Sequence, residues 1–233
     1  MRVIAIAARP GDAEFAAGGT MARYRKRGDE VTIVTVANGN SALEDVPPRE
    51  LASRRRAEAE TAAERLGVDL IWMDHSDFAV QADAVTRVKL VETLRARKPD
   101  LLLAPAPLGN ILDASGAWDI ARAAAEMSAA PNVLCEGDPL PQPPVLLAYE
   151  RTWTAGFIPT ELVDITNTLE AKHHALDAHV SLAASFRESH GFELGEAAET
   201  VAAYRGLQAG VAFAEAFRAD SRLGPLPTRR LLP

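Results

Sequence analysis

The chain alternates short apolar runs with longer segments in which apolar residues recur every three or four positions. Residues 3–8 (VIAIAA) form an apolar run closed by Arg9-Pro10-Gly11, which reads as a buried strand leading into a loop. Over residues 14–25, Phe15, Met21 and Tyr24 fall at helical spacing, and Gly18-Gly19 inside this helix is a place for another backbone to approach closely. Gly28 marks the helix end, and the β-branched run 31–36 (VTIVTV) predicts a second strand. A polar loop over 38–50 leads into a charged, alanine-rich helix over 51–66 that Gly67 closes. The pattern then repeats, with a strand at 69–73, a helix at 83–98 ended by Pro99, and a strand at 101–104. Beyond these the spacing predicts a helix over 118–128, a strand over 145–149, a helix over 169–187 and a helical region over 196–217.

Strand and helix in alternation imply an α/β fold, with a Rossmann-like, mostly parallel β-sheet flanked by helices. Ligands of such sheets bind beyond the carboxyl ends of the strands. The loops at 9–14, 38–40, 74–78 and 105–115 are therefore expected to converge on one cleft. We read residues 1–233 as a single domain, with a proline-rich loop at 131–144 and an extended tail at 224–233.

Composition narrows the picture. The 233 residues are 48% hydrophobic and 24% charged, an ordinary globular balance. Net charge is -7, so the chain offers no basic footprint for a nucleic acid and no polybasic membrane anchor. No run approaches the ~18–20 apolar residues of a membrane span. A single cysteine, Cys135, excludes an internal disulfide and fits a reducing compartment. These features give a soluble, cytoplasmic protein whose partner is a small molecule, with a homo-oligomer left open.

Five segments in order carry a resemblance. They are Ala8-Arg9-Pro10-Gly11-Asp12-Ala13-Glu14 followed by Gly18-Gly19-Thr20; residues 28–39 (GDEVTIVTVANG); Arg55-Arg56-Ala57-Glu58 with Leu66-Gly67; Asp164-Ile165-Thr166 with Lys172, Ala175-Leu176 and His179; and Arg205-Gly206 with residues 214–218 (AEAFR). Together they resemble the PIG-L/LmbE-like de-N-acetylase family, whose members remove acetyl groups from N-acetylglucosamine-type amides with zinc. Each motif alone is weak, but five at natural spacing from residue 3 to about 218 are specific.

The resemblance implies a metal site that these residues do not supply. In the family the first loop provides a histidine ligand, an aspartate base and an aspartate ligand; the corresponding residues here are Arg9, Gly11 and Asp12. The second motif, His-Pro-Asp-His, aligns with Ile111-Leu112-Asp113-Ala114. Zinc hydrolysis needs about three ligands and a base beside the bound water. A guanidinium is always charged and has no lone pair for a metal. We therefore expect no zinc and no other cofactor. Arg9 either pairs with Asp12 or Asp113 in the former metal cavity or binds a ligand carboxylate or phosphate.

The candidate acid–base groups are Asp12, Asp113, His75 and Asp77, and the candidate ligand-contacting residues are Arg9, Glu14, Asn38, Arg55, Asn110 and Tyr149. Of these, Arg55 takes a cleft role only from the resemblance; from spacing alone it makes an ion pair with Glu58 one turn away. His179 reads as a satisfied buried histidine. Two functions follow: a metal-independent enzyme acting on a small sugar- or amide-like molecule in specialised metabolism, or a protein that binds a ligand or partner without chemistry. Residual amide hydrolysis with a metal held by other groups is the weaker third reading.

Overall fold

The computed structural model describes residues 1–43, 45–108, 112–151, 156–219 and 231–233. Among the described residues seven strands form one sheet: β1 (Arg2–Ala7), β2 (Glu30–Ala37), β3 (Asp69–His75), β4 (Leu101–Pro105), β5 (Val145–Tyr149), β6 (Glu161–Asp164) and β7 (Ala214–Ala219). The helices are α1 (Asp12–Lys26), α2 (Pro48–Leu66), α3 (Ala84–Arg97), α4 (Leu112–Ala129), α5 (Leu169–Leu176), α6 (Val180–His190) and α7 (Leu194–Ala209). A short 3-10 turn at Thr166–Thr168 precedes α5. The strand order is β3-β2-β1-β4-β5-β7-β6. Strands β3 to β5 pair in parallel, while β7 runs antiparallel to both of its neighbours.

Strand alternation divides the core between two faces. Ile4, Ile6, Val34, Leu102 and Leu146 pack with Leu90, Leu94, Ala117 and Trp118 of α3 and α4. Val3, Ala5, Ile33, Leu103 and Leu147 pack on the other side with Ala17 and Met21 of α1 and with Ala175 of α5. Both faces of the central strands are covered, so those strands are apolar throughout rather than alternating.

Several expectations need correction. The region 196–217 is helical only to Ala209; Ala214–Ala219 is a strand at the antiparallel end of the sheet. The 169–187 helix is two helices, broken where His179 leaves helical geometry at φ -84° and ψ 61°. That break turns the His179 ring inward, where its Nε2 lies 3.0 Å from Glu14 Oε1. Helix α4 begins at Leu112, six residues before the predicted start at 118, because Ser115 and Gly116 weaken the helical signal there. Close approach at Gly18-Gly19 is by side chains, not backbone: a Cβ on Gly19 would stand 2.7 Å from the Ile165 Cβ.

The proline-rich segment 131–144 is held by Arg95. Its buried guanidinium donates to the carbonyls of Ser128, Ala130, Val133 and Gly137 at 3.0–3.3 Å. The tail expected at 224–233 lies mostly outside the described residues. Its last three residues pack inward, with the Tyr24 hydroxyl donating to the Leu231 carbonyl at 3.0 Å.

Candidate functional site

The parallel order 3-2-1-4-5 places a topological switch point between β1 and β4, where sheets of this kind hold their ligand crevice beyond the strands' carboxyl ends. Arg9 follows β1, and Asp113 lies in the first turn of α4, after β4. Their side chains meet across that crevice. Arg9 Nε and Nη2 both donate to Asp113 Oδ2, at 2.8 and 2.6 Å. Asp113 is fully buried and also accepts the backbone N–H groups of Phe78 (3.0 Å) and Val80 (3.4 Å). Arg9 keeps 24% of its side chain exposed, and its Nε lies 3.8 Å from Asp77 Oδ1.

The loop after β3 is tied down at many points. Buried Asp77 accepts the N–H groups of Gly39 (2.8 Å) and Ser41 (3.2 Å), joining this loop to the one after β2. Asn38, also buried, donates to Asp74 at 3.1 Å, and its own N–H donates to the His75 carbonyl at 2.8 Å. Asp74 and Phe78 adopt left-handed backbone conformations, with φ of 64° and 65°. Phe78 is 63% exposed, and the Arg9 guanidinium carbon lies over its ring, 4.7 Å from the centroid.

Asp12 opens helix α1 beside this cluster. It is half-buried and accepts the Arg9 N–H at 3.1 Å. Burial pushes its carboxyl above the ordinary range, against the opposing pull of the Arg151 and Arg9 charges. Gly11 before it sits at φ 90°, and a Cβ there would run into Leu182 of α6. Helix α6 thus fills the space that a side chain at position 11 would need.

The other nominated residues are divided between crevice and interior. His75 is half-buried, with its Nε2 3.5 Å from the Thr86 hydroxyl. Glu14 is buried and bonded to His179; its Oε2 and the His179 Nδ1 have no hydrogen-bond partner among the described residues. The buried Tyr149 hydroxyl donates to the Ile6 carbonyl at 2.8 Å, and burial lifts it well above the usual phenol range. Arg55 is buried too and donates to Ser181 and Ser185 of α6, each at 3.3 Å. Its expected partner Glu58 instead accepts from the N–H and hydroxyl of Ser181, at 2.9 and 2.7 Å. Asn110 lies outside the described residues. Phe78 was not singled out in the sequence, because nothing in its residue type announces a left-handed backbone.

A model of the PIG-L family, described as GlcNAc-PI de-N-acetylase, matches residues 4–123. The chain belongs to this family. It is 28% identical over 229 residues to the diacetylchitobiose deacetylase of Thermococcus kodakarensis, covering 93% of this chain and 82% of the relative. Among solved structures, N,N'-diacetylchitobiose deacetylase from Pyrococcus horikoshii matches with a TM-score of 0.80 at 27% identity, covering 94% of this chain and 83% of that one. GalB, the 4-carboxy-2-hydroxymuconate hydratase of Pseudomonas putida KT2440, matches with a TM-score of 0.84 at 23% identity over 99% of each chain, a likeness of fold.

Within this PIG-L fold, the residues at the crevice do not fit the family's zinc. No group of three His, Cys, Asp or Glu side chains is placed to hold a metal ion among the described residues. The Arg9 guanidinium has no lone pair for a metal, and the Asp113 oxygens are already engaged by Arg9 and two backbone N–H groups. A metal here would have to displace a cation from a buried carboxylate. Purified protein dialysed against zinc should accordingly retain well below one zinc per chain by elemental analysis. Stoichiometric zinc mapping to this crevice would overturn that assignment. Restoring the ligands is harder than the alignment implies. Gly11→Asp imposes left-handed strain of ~1–2 kcal/mol and displaces Leu182. Ala114→His enlarges a side chain that is buried in the core.

Proposed function

We propose that this PIG-L-family protein is a metal-independent enzyme that binds a small sugar- or amide-like molecule bearing an anion or carbonyl. Asp12 is its acid–base group and Arg9 its electrostatic clamp. The supporting observation is the Asp12 carboxyl, half-buried at the switch-point crevice, shifted upward by desolvation and facing the Arg9 and Arg151 charges. A carboxyl raised in this way holds its proton to higher pH. It can donate to a leaving nitrogen or oxygen and, once ionised, accept a proton from water. The guanidinium supplies positive charge where an oxyanion would develop. The substrate class is drawn from the diacetylchitobiose deacetylases, and GalB is a case of the same fold named for a hydratase reaction.

The Asp12→Asn variant tests this reading in two ways. Because its folded-state pKa is raised, Asp12 loses its proton in the unfolded chain first. Its contribution to stability is greatest below the unfolded pKa and declines as pH rises through the folded one. Asn does not ionise, so Asp12→Asn should melt higher than wild type at neutral pH, with the gap narrowing in acid. Its turnover of a panel of N-acetylated amino sugars, assayed with a chelator present, should fall by at least about 100-fold. A variant that melts higher and turns over normally would remove Asp12 from the chemistry.

One observation favours a second reading, a binding protein without chemistry. Asp113 and Asp77, two of the four nominated acid–base groups, are buried and bonded to backbone N–H groups. Absence of turnover across the panel, with ligand binding that depends on Arg9, would establish it.

A further inference from the structure

The loop after β3 carries one feature that holding Arg9 in place does not require. Phe78 occupies left-handed backbone, φ 65°, where a bulky side chain is disfavoured and glycine would sit without strain. The conformation is imposed from outside: the Phe78 N–H donates to Asp113 at 3.0 Å, and Asp77 just before it is tied to Gly39 at 2.8 Å and Ser41 at 3.2 Å. Strain that the surroundings over-determine concentrates at ligand-binding sites. Nor does the ring serve the core, since 63% of the residue is exposed. It lies 4.7 Å from the Arg9 guanidinium carbon, and the next exposed apolar side chain along this rim, Leu112, adjoins Asp113.

The guanidinium is oriented by its partners. Nε and Nη2 face Asp113, while Nη1 makes no hydrogen bond among the described residues. The site therefore presents one cationic edge and, beside it, the part of the Phe78 ring that the Arg9 guanidinium does not cover. We propose that Phe78 is a specificity-determining platform, and that the ligand is a carboxylate carried on a flat aromatic or conjugated group. The carboxylate meets Arg9, and the flat group packs against Phe78 in offset or edge-on geometry. This inference rests on the reading of Arg9 as an anion clamp; of the sugar- and amide-like molecules considered above it keeps the amide-like ones and sets the sugars aside.

Three probes separate the two ideas: sodium acetate, benzoate and glucuronate, titrated at constant ionic strength into the nitrogen-15-labelled full chain and followed through the Arg9 side-chain and Phe78 backbone resonances. Benzoate should bind at least about tenfold tighter than acetate or glucuronate, as expected for an added aromatic contact. Phe78→Ala should erase that advantage and leave acetate binding within about twofold. Phe78→Gly, which suits the backbone conformation, should do the same if the alanine variant folds poorly. If acetate and benzoate bind equally at Arg9, or glucuronate matches benzoate, the platform is refuted while the anion clamp stands. Persistence of the benzoate advantage in both variants also refutes the platform. If none of the three perturbs Arg9, both ideas fall.

Discussion

Glu215→Ala should lower the unfolding free energy by about 3–5 kcal/mol, the largest single-residue effect we expect in this protein. Glu215 lies on β7 with its side chain buried against α1 and α5, and the Lys172 Nζ stands 2.8 Å from its Oε1. Each side chain is only 2% exposed, so solvent screens the pair very little. The same carboxylate accepts the N–H groups of Gly19 at 2.9 Å and Thr20 at 2.7 Å, both in the middle of α1. Alanine would strand the buried ammonium and remove the carboxylate that the two α1 amides meet. Glutamine is a poor substitute, because one end of its amide is a donor and would face an N–H. Urea denaturation of the Glu215→Ala and Glu215→Gln variants checks this. A loss under about 1 kcal/mol for alanine would mean that water reaches the pair and that its burial counts for little.

The second large effect concerns Arg9. Arg9→Ala should cost about 2 kcal/mol, less than the interior pair because Arg9 is partly exposed and Asp113 keeps two backbone donors. The loss arises from Asp113, left fully buried without its cation. Adding Asp113→Ala should therefore harm the Arg9→Ala protein less than it harms wild type, with a coupling of ~1–3 kcal/mol in a double-mutant cycle. Additive losses would show that the two side chains are neighbours without being partners. Arg9 thus has a structural duty besides its proposed contact with ligand, and the two separate in Arg9→Lys. Lysine keeps a charge for Asp113 but lacks the second, outward-facing group of donors.

The parallel half of the fold was legible because its strands are β-branched or leucine-rich runs between segments of clear helical period. The antiparallel end was not. Glu161–Asp164 is only four residues long, and Ala214–Ala219 (AEAFRA) is half alanine, a residue that favours helix when read alone. Tertiary pairing overrides that preference. The break between α5 and α6 carries neither glycine nor proline and is set by the His179 contact to Glu14 instead. At the site, the sequence offered Arg9–Asp113 as one of two pairings, and the structure selects it. Burial decides what was not legible. Nothing local distinguishes the half-exposed carboxyl of Asp12 from those of Asp77 and Asp113, which the fold closes around. Nor could spacing reveal that Arg55, a turn from Glu58, reaches past it to serines more than a hundred residues later.

The reach of Glu215 into α1 also bears on the order in which the protein can assemble. Helix α1 ends at Lys26, whereas β7 begins only at Ala214 and so leaves the ribosome much later. Until that strand arrives, two amides in the middle of α1 lack the carboxylate that receives them, and Lys172 lacks its counter-charge. The first helix must hold a provisional form until β7 is in place. Insertion of β7 then settles the antiparallel edge of the sheet and the middle of the first helix in a single step.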